Sequence, residues 1–207
     1  MDVSVVFGEA ELFERAAHLF TAGEPVACAA HDLYAWAVAR QVSRPTPVDF
    51  PVRKLYRPAV LLDPVQARHV RELARMGAQV RITPSEISET LIFGERAAIL
   101  AGDRSSGERS YSVVTRPDVV RGVTSLFDAA WRSATDLAVF EARFAEVRPL
   151  APRILDMLAS GCKDETAAKT LGLGLRTYRR RVAELMAVLG AESRFQAGVR
   201  ARDFGLV

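Results

Sequence analysis

Over the first 136 residues, short apolar runs of strand length alternate with longer stretches whose apolar residues recur every three or four positions; beyond them only the helical period persists. Val3 to Phe7 reads as a strand or a packed arm. From Glu9, the apolar face Leu12, Phe13, Ala16, Ala17, Leu19 and Phe20 predicts a helix stopped by Gly23. Val26 to Ala30 has strand length, and Leu33, Trp36, Ala37 and Arg40 predict another helix. Pro45, Pro47 and Pro51 make Ser43 to Pro51 a loop, because proline removes an amide donor and fixes φ. Tyr56 to Leu62 predicts a strand. Asp63-Pro64 predicts a helix start, with Val65, Val70, Leu73 and Met76 inward and Gly77 as the stop. Val80 to Thr83 is the next strand. Leu91 to Phe93 and Ala97 to Leu100, joined by Gly94-Glu95-Arg96, predict a hairpin. Asp103 to Arg109 is a polar turn and Tyr111 to Thr115 a strand. Pro117 to Thr135 is an amphipathic helix carrying Val120, Val123, Phe127, Trp131 and Ala134 on one side. Strands alternating with helices imply an α/β layer fold for residues 1–136.

The rest reads as helices. Leu137, Phe140 and Phe144 predict a helical linker over residues 137–147, set between domains or against a second copy. Residues 148–207 predict a four-helix, all-α domain: Pro149 to Ser160, Asp164 to Leu171, Leu175 to Leu189, and a last helix opened by Ser193 and Gln196 at capping-box spacing. In the last helix, Phe195, Val199 and Phe204 are either pairing or core residues.

Composition bounds the class. The chain has 207 residues, 49% hydrophobic and 26% charged, as in ordinary globular proteins. No stretch approaches the roughly 20 apolar residues of a membrane span, and the acidic start lacks the basic region of a signal peptide. A cytoplasmic chain without a membrane partner is the expectation. Cys28 and Cys162 have no metal spacing and read as free thiols, Cys28 in an apolar run and hence buried. His18 and His31 read as structural residues. There is no G-x-G-x-x-G and no Walker loop, so no cofactor is expected.

The net charge is +3, and its distribution changes the picture more than its size. Arg148 to Val207 holds eleven Lys and Arg against six Asp and Glu, which is +5 and leaves −2 for residues 1–147. The basic character therefore sits in the C-terminal part. Within it, Tyr178, Val182, Leu185 and Leu189 form one buried stripe of a helix. Arg179, Arg180 and Ala183 lie off that stripe. Arginine donates two hydrogen bonds to guanine O6 and N7 and pairs with phosphates, so such a helix suits a DNA major groove. Arginine-rich faces are also ordinary solvated surface, and the charge run alone leaves both readings open.

The segment from Val147 to Val207 resembles the LuxR/NarL-type helix-turn-helix domain of bacterial transcription regulators. The resemblance rests on Pro149, Ile154-Leu155, Leu158-Ala159, Gly161, Ala168, Leu171, Leu173, Thr177, Val182, Leu189-Gly190, Ser193-Arg194-Phe195-Gln196-Ala197 and Gly205-Leu206. It departs at Arg148-Pro149-Leu150-Ala151, at Gly174 in place of a capping serine, and at Tyr178-Arg179-Arg180-Arg181, so the family's operator preference does not transfer. The resemblance implies a homodimer on double-stranded operator DNA. Arg179, Arg180 and Ala183 would lie at base edges; Arg176, Thr177, Arg181, Lys163 and Lys169 would contact phosphates and set register.

The first 136 residues resemble the phospholipase-D-like effector domain of sugar-responsive TrmB-type regulators. The likeness lies in a strand, a helix ending at Gly77, Val80-Arg81-Ile82, two strands, and the Leu126-Phe127-x-x-x-Trp131 helix. That chemistry needs a histidine nucleophile, a lysine and an aspartate. By strand order their places fall near Ile87, Glu89 and Gly94, none of which serves. The resemblance then implies a catalytically inactive sensor or dimerisation module. A crevice around Arg81, Thr83, Glu86 and Glu89 is the candidate site for a small-molecule effector, or simply a polar strand end. Two rivals stand beside the regulator: a phosphodiesterase-type enzyme, and an interaction module in which the helix-turn-helix is a vestige.

Overall fold

The computed structural model describes residues 2–20, 23–29, 51–85, 87–102, 108–145 and 147–203. The expected helix around Leu33 and Trp36, the proline-rich stretch as far as Phe50, His31, Glu86, most of the Asp103 to Arg109 turn, and Phe204 to Leu206 lie outside the described residues. The chain divides into two compact units, Met1–Tyr56 with Val70–Ala134, and Arg57–His69 with Thr135–Val207.

The first unit is a mixed α/β fold. Its strands are β1 (Val3–Phe7), β2 (Val26–Ala29), β3 (Val52–Tyr56), β4 (Gln79–Ile82), β5 (Thr90–Phe93), β6 (Ala97–Ala101) and β7 (Ser110–Val114). They run in the order β1-β7-β6-β5-β2-β3-β4. β2, β3 and β4 are parallel, and the other neighbours are antiparallel. Side chains alternate across a strand, and here a helix packs on each face of the inner strands. Leu12, Ala16 and Leu19 of the Gly8–Phe20 helix pack with Val6, Leu91, Phe93, Ile99 and Tyr111. Val120, Phe127 and Trp131 of the Pro117–Ser133 helix pack with Leu55, Ile92, Ala98 and Val114 on the opposite face. Coverage on both sides explains why β5 reads Thr-Leu-Ile-Phe with no polar alternation: all four residues are buried. The β5–β6 hairpin pairs Phe93 with Ala97 and turns at Gly94, whose φ of 51° favours glycine.

Two expectations change. The strand placed at Tyr56 to Leu62 is instead Val52–Tyr56, followed by a 3-10 turn over Pro58–Leu61. Pro58 lacks an amide donor and opens the turn, whose four residues are all buried. An apolar run without alternation does not separate a strand from a buried turn. Asp63 does cap the Pro64–Arg75 helix, accepting from the Val65 and Gln66 amides at 2.8 Å. Val65, however, is 69% exposed; Ala67 and Val70 are the buried positions.

The described part of the second unit is built mainly of helices: Leu137–Phe144, Ala151–Ala159, Asp164–Thr170, Leu175–Leu189 and Arg194–Asp203. Their shared core holds Phe144, Val147, Ile154, Leu155, Ala168, Tyr178, Leu185, Leu189, Ala197 and Ala201. The stretch expected as a linker belongs to this core, because Phe144 is buried in it and Phe140 packs against it. Leu62 also packs against it, which explains why residues 57–69 group with this unit. Phe195 and Val199 are 82% and 44% exposed, so neither is a core residue. The last helix opens as its spacing predicts: the Gln196 amide donates to Ser193 Oγ at 3.1 Å, and the Glu192 amide to Gln196 Oε1 at 2.8 Å. Cys28 is buried and Cys162 half-buried, and both are free. Burial pushes the Cys28 thiol up from its ordinary value.

Tyr178 is fully buried and its hydroxyl has no hydrogen-bond partner. A buried unsatisfied polar group costs stability. Tyr178→Phe is therefore expected to leave stability unchanged or raise it by up to ~1 kcal/mol, measured by urea unfolding, where loss of a needed hydroxyl would lower the midpoint.

Candidate nucleic-acid interface

The turn between the Asp164–Thr170 and Leu175–Leu189 helices is closed by backbone hydrogen bonds. The Gly172 amide donates to Lys169 O at 3.0 Å, and the Leu173 amide to Ala168 O at 2.8 Å. Gly172 has φ 68°, a left-handed position that glycine takes without strain. Gly174 caps the second helix with extended backbone and contributes no side-chain bond. Tyr178, Val182, Leu185, Val188 and Leu189 are buried, and they fix the helix's rotation. Its far end is closed by Gly190 at φ 66° and by Arg200, which donates to the Leu189 and Gly190 carbonyls.

With that face locked, the opposite one is exposed. Arg176, Arg179, Arg180 and Ala183 all lie on it, and Thr177 is half-buried at its margin. Lys163 and Lys169, on the preceding segment, are exposed as well. Ala187 completes the face, four residues beyond Ala183; its small side chain permits close approach, a feature the sequence reading missed. Arg181 differs from expectation. It is buried, and its guanidinium donates to Glu184 at 2.8 Å, which withdraws it from the phosphate-contacting set. Spacing alone put it at the edge of the apolar stripe, and packing drew it inward.

Three carboxylate–arginine contacts organise the exposed charges. Arg179 Nε donates to Asp164 Oδ2 at 3.0 Å. Arg194 clamps both oxygens of the same carboxylate, at 2.5 and 3.0 Å. Arg180 lies 3.8 Å from Glu184. The Arg194 guanidinium first, then that of Arg179, hold the Asp164 carboxyl down at about 2, against the upward push of partial burial. Asp164 as the first residue of a helix is a visible dipole signal. Its partner Arg194, thirty residues away, is not visible in the sequence.

The described residues expected around an effector crevice, Arg81, Thr83 and Glu89, are spread across one end of the sheet. Arg81 stacks on Trp131 at 4.8 Å and donates to its carbonyl at 2.7 Å. Thr83 is buried, and its Oγ1 accepts from the Ser85 amide at 3.2 Å. Glu89 is buried and receives a hydrogen bond from Arg109 at 2.5 Å. β2 and β3 lie between β4 and β5, so Arg81 is three strand spacings, about 14 Å, from the Glu89 end of β5. Glu86 lies outside the described residues. Beside Arg109, the Tyr111 hydroxyl donates to Glu9 at 3.1 Å; burial, then the Glu9 charge, push that phenol up to about 12. Among the described residues, no group of three His, Cys, Asp or Glu is placed to hold a metal ion. No helix there is long and apolar enough to cross a membrane.

No protein-family model matches the chain. The bialaphos biosynthetic pathway regulatory protein of Streptomyces hygroscopicus is 32% identical over 140 residues, covering 67% of this chain and 55% of that protein. The chain is similar to a bacterial regulatory protein. It spans about half the length of that relative. Among solved structures, TrmBL2, an archaeal chromatin protein with a novel mode of DNA binding, aligns at TM-score 0.53 and 17% identity, over 66% of this chain and 55% of that one. At that identity the likeness is one of fold. Nuc of Salmonella typhimurium, a phospholipase D family member, aligns at 0.49 and 11% identity over 65% of this chain and 96% of that one, a score too low to define a shared fold.

The Asp164 cluster predicts a pH dependence. Its folded value of about 2 lies below the unfolded value of about 3.9. Its contribution to stability is therefore complete above the unfolded value and lost as pH falls through the folded one. Urea unfolding of the wild type is expected to show this extra slope between about pH 4 and pH 2, and Asp164→Asn to lack it. Parallel slopes for the two chains would mean the clamp does not persist in solution.

Proposed function

We propose that this chain is a DNA-binding transcription regulator of the LuxR/NarL helix-turn-helix type, acting in the bacterial cytoplasm as a homodimer on operator DNA. The observation that carries the reading is the Leu175–Leu189 helix, locked by one face and offering Arg176, Arg179 and Arg180 around Ala183 on the other. The similarity to a regulatory protein and the fold shared with a DNA-binding chromatin protein support it. In this reading Arg179, Arg180 and Ala183 lie nearest base edges in the major groove. Arg176, Thr177, Lys163 and Lys169 contact phosphates, while Arg181 supports the helix through Glu184.

The first unit serves as a phospholipase-D-like sensor or dimerisation module without catalysis. Glu89, where a lysine would stand, is buried against Arg109. Any small-molecule effector would act through this unit. One observation favours a second reading, an interaction module with a vestigial helix-turn-helix: Asp164 and Glu184 engage Arg179, Arg180 and Arg181 within the chain.

A pull-down of genomic fragments followed by a salt series separates the readings. The regulator enriches a short, near-palindromic sequence with a steep salt slope; the interaction module enriches none. Arg180→Ala is expected to relax preference at one base position by roughly 1–3 kcal/mol. Lys169→Ala is expected to weaken all sequences alike and reduce the salt slope by about one. Equal losses on all sequences from both substitutions would refute the division of roles.

A further inference from the structure

β1 stands at the end of the sheet, and no strand among the described residues lies beyond it. Its sequence, Val-Ser-Val-Val-Phe, carries no charge and no proline, the usual devices that protect an edge. Val3, Val5 and Phe7 are 48%, 53% and 55% exposed. The ladder sets Val3 opposite Val114, which packs with Phe127 and Trp131. These three side chains therefore share the face that the Pro117–Ser133 helix covers. On that helix Asp128 pairs with Arg53 of β3, on the side away from β1. At about 100° per residue, Val119 and Leu126 lie on the opposite flank, the one toward β7 and β1. They are 38% and 74% exposed. Arg121 and Arg132 fall on the Asp128 side, so past its first turn the flank facing β1 is uncharged.

Among the described residues of the first unit, the strip left open spans β1 and β7, about 10 Å, which is also the diameter of a helix with its side chains; it is apolar along β1 and carries the half-buried Ser110 and Ser112 on β7. Five partly exposed apolar side chains border it and leave on the order of 500 Å² of apolar surface per copy, or about 1,000 Å² for two, the lower limit of a specific interface. The outward stripe of the same helix is small, with Gly122, Ser125 and Ala129 exposed. The surface thus accepts a helix and presents one that fits.

We infer that a second copy of this chain docks here, related by a two-fold axis. Each Pro117–Ser133 helix lies in the other copy's strip. Leu126 meets its own counterpart, and the small outward residues cover the partner's valines and phenylalanine. Such an interface is isologous, so one patch serves both copies. The inference rests on the proposed homodimer and assigns its surface to the first unit rather than to Phe195 and Val199 of the last helix.

Sedimentation velocity of the full chain without DNA tests it. The wild type is expected at twice the 22.7 kDa chain mass. Leu126→Glu is expected to weaken association by at least about 30-fold, through like charges facing across the axis. Phe195→Glu is expected to leave it unchanged. Mixing Leu126→Glu with Leu126→Lys is expected to restore a mixed dimer, because the axis sets position 126 opposite itself. A monomeric wild type at tens of micromolar overturns the inference, as does a Leu126→Glu chain that stays dimeric, a Phe195→Glu chain that dissociates, or a charge-swapped mixture that stays monomeric. A wild-type dimer that obeys these rules and binds no DNA sinks the regulator reading and leaves the interface standing.

Discussion

Tyr178, Val182, Leu185 and Leu189 lie buried along one side of a single helix, packed with Ile154, Leu155 and Ala168 in the same core. This contact sets the rotation of the helix, and the rotation decides which arginines reach solvent. Turning the helix by one residue would carry Arg179 into the core, at a desolvation cost no hydrophobic gain offsets. The display of Arg176, Arg179 and Arg180 is therefore a consequence of packing. Arg181 marks the boundary, since it is drawn into the margin of the core and is held there by Glu184.

The charges around that helix are arranged within the chain before any partner arrives. The arginines of these pairs are exposed, so solvent screens part of their stabilising effect, and Asp164 also orients the two guanidiniums. Its carboxylate joins Arg179, on the exposed helix face, to Arg194, which opens the last helix. A phosphate offers the same acceptor geometry as a carboxylate, so under the proposed function a DNA phosphate would compete with Asp164 for these guanidiniums.

In the first unit the Gly8–Phe20 and Pro117–Ser133 helices pack on opposite faces of the sheet, while one face of β1 stays exposed. Polar groups at the strand ends satisfy one another: Glu89 with Arg109, Tyr111 with Glu9, and Arg53 with Asp128 while stacked on Phe127 and Trp131. Among the described residues, Val3, Val5 and Phe7 of β1 leave an exposed apolar edge beside Ser110 and Ser112 of β7.

Local periodicity carried most of the fold. The three-and-four spacing of Val120, Phe127 and Trp131, or of Tyr178, Val182 and Leu185, reports a helix and its buried side within a few turns, because both depend on near neighbours in sequence. Turn signals were equally local, as Asp63 before Pro64 and Gly94 between β5 and β6 illustrate. The exposed arginine face was legible for the same reason. Other features required distant parts of the chain to meet. Pro58–Leu61 is apolar enough for a strand, but its place in the second unit made it a buried turn. The carboxylate that Arg179 pairs with, the burial of Arg181, and the separation of Arg81 from Glu89 by two intervening strands depend on contacts that no spacing encodes. Periodicity names the face a residue occupies, while packing and long-range electrostatics choose its neighbour.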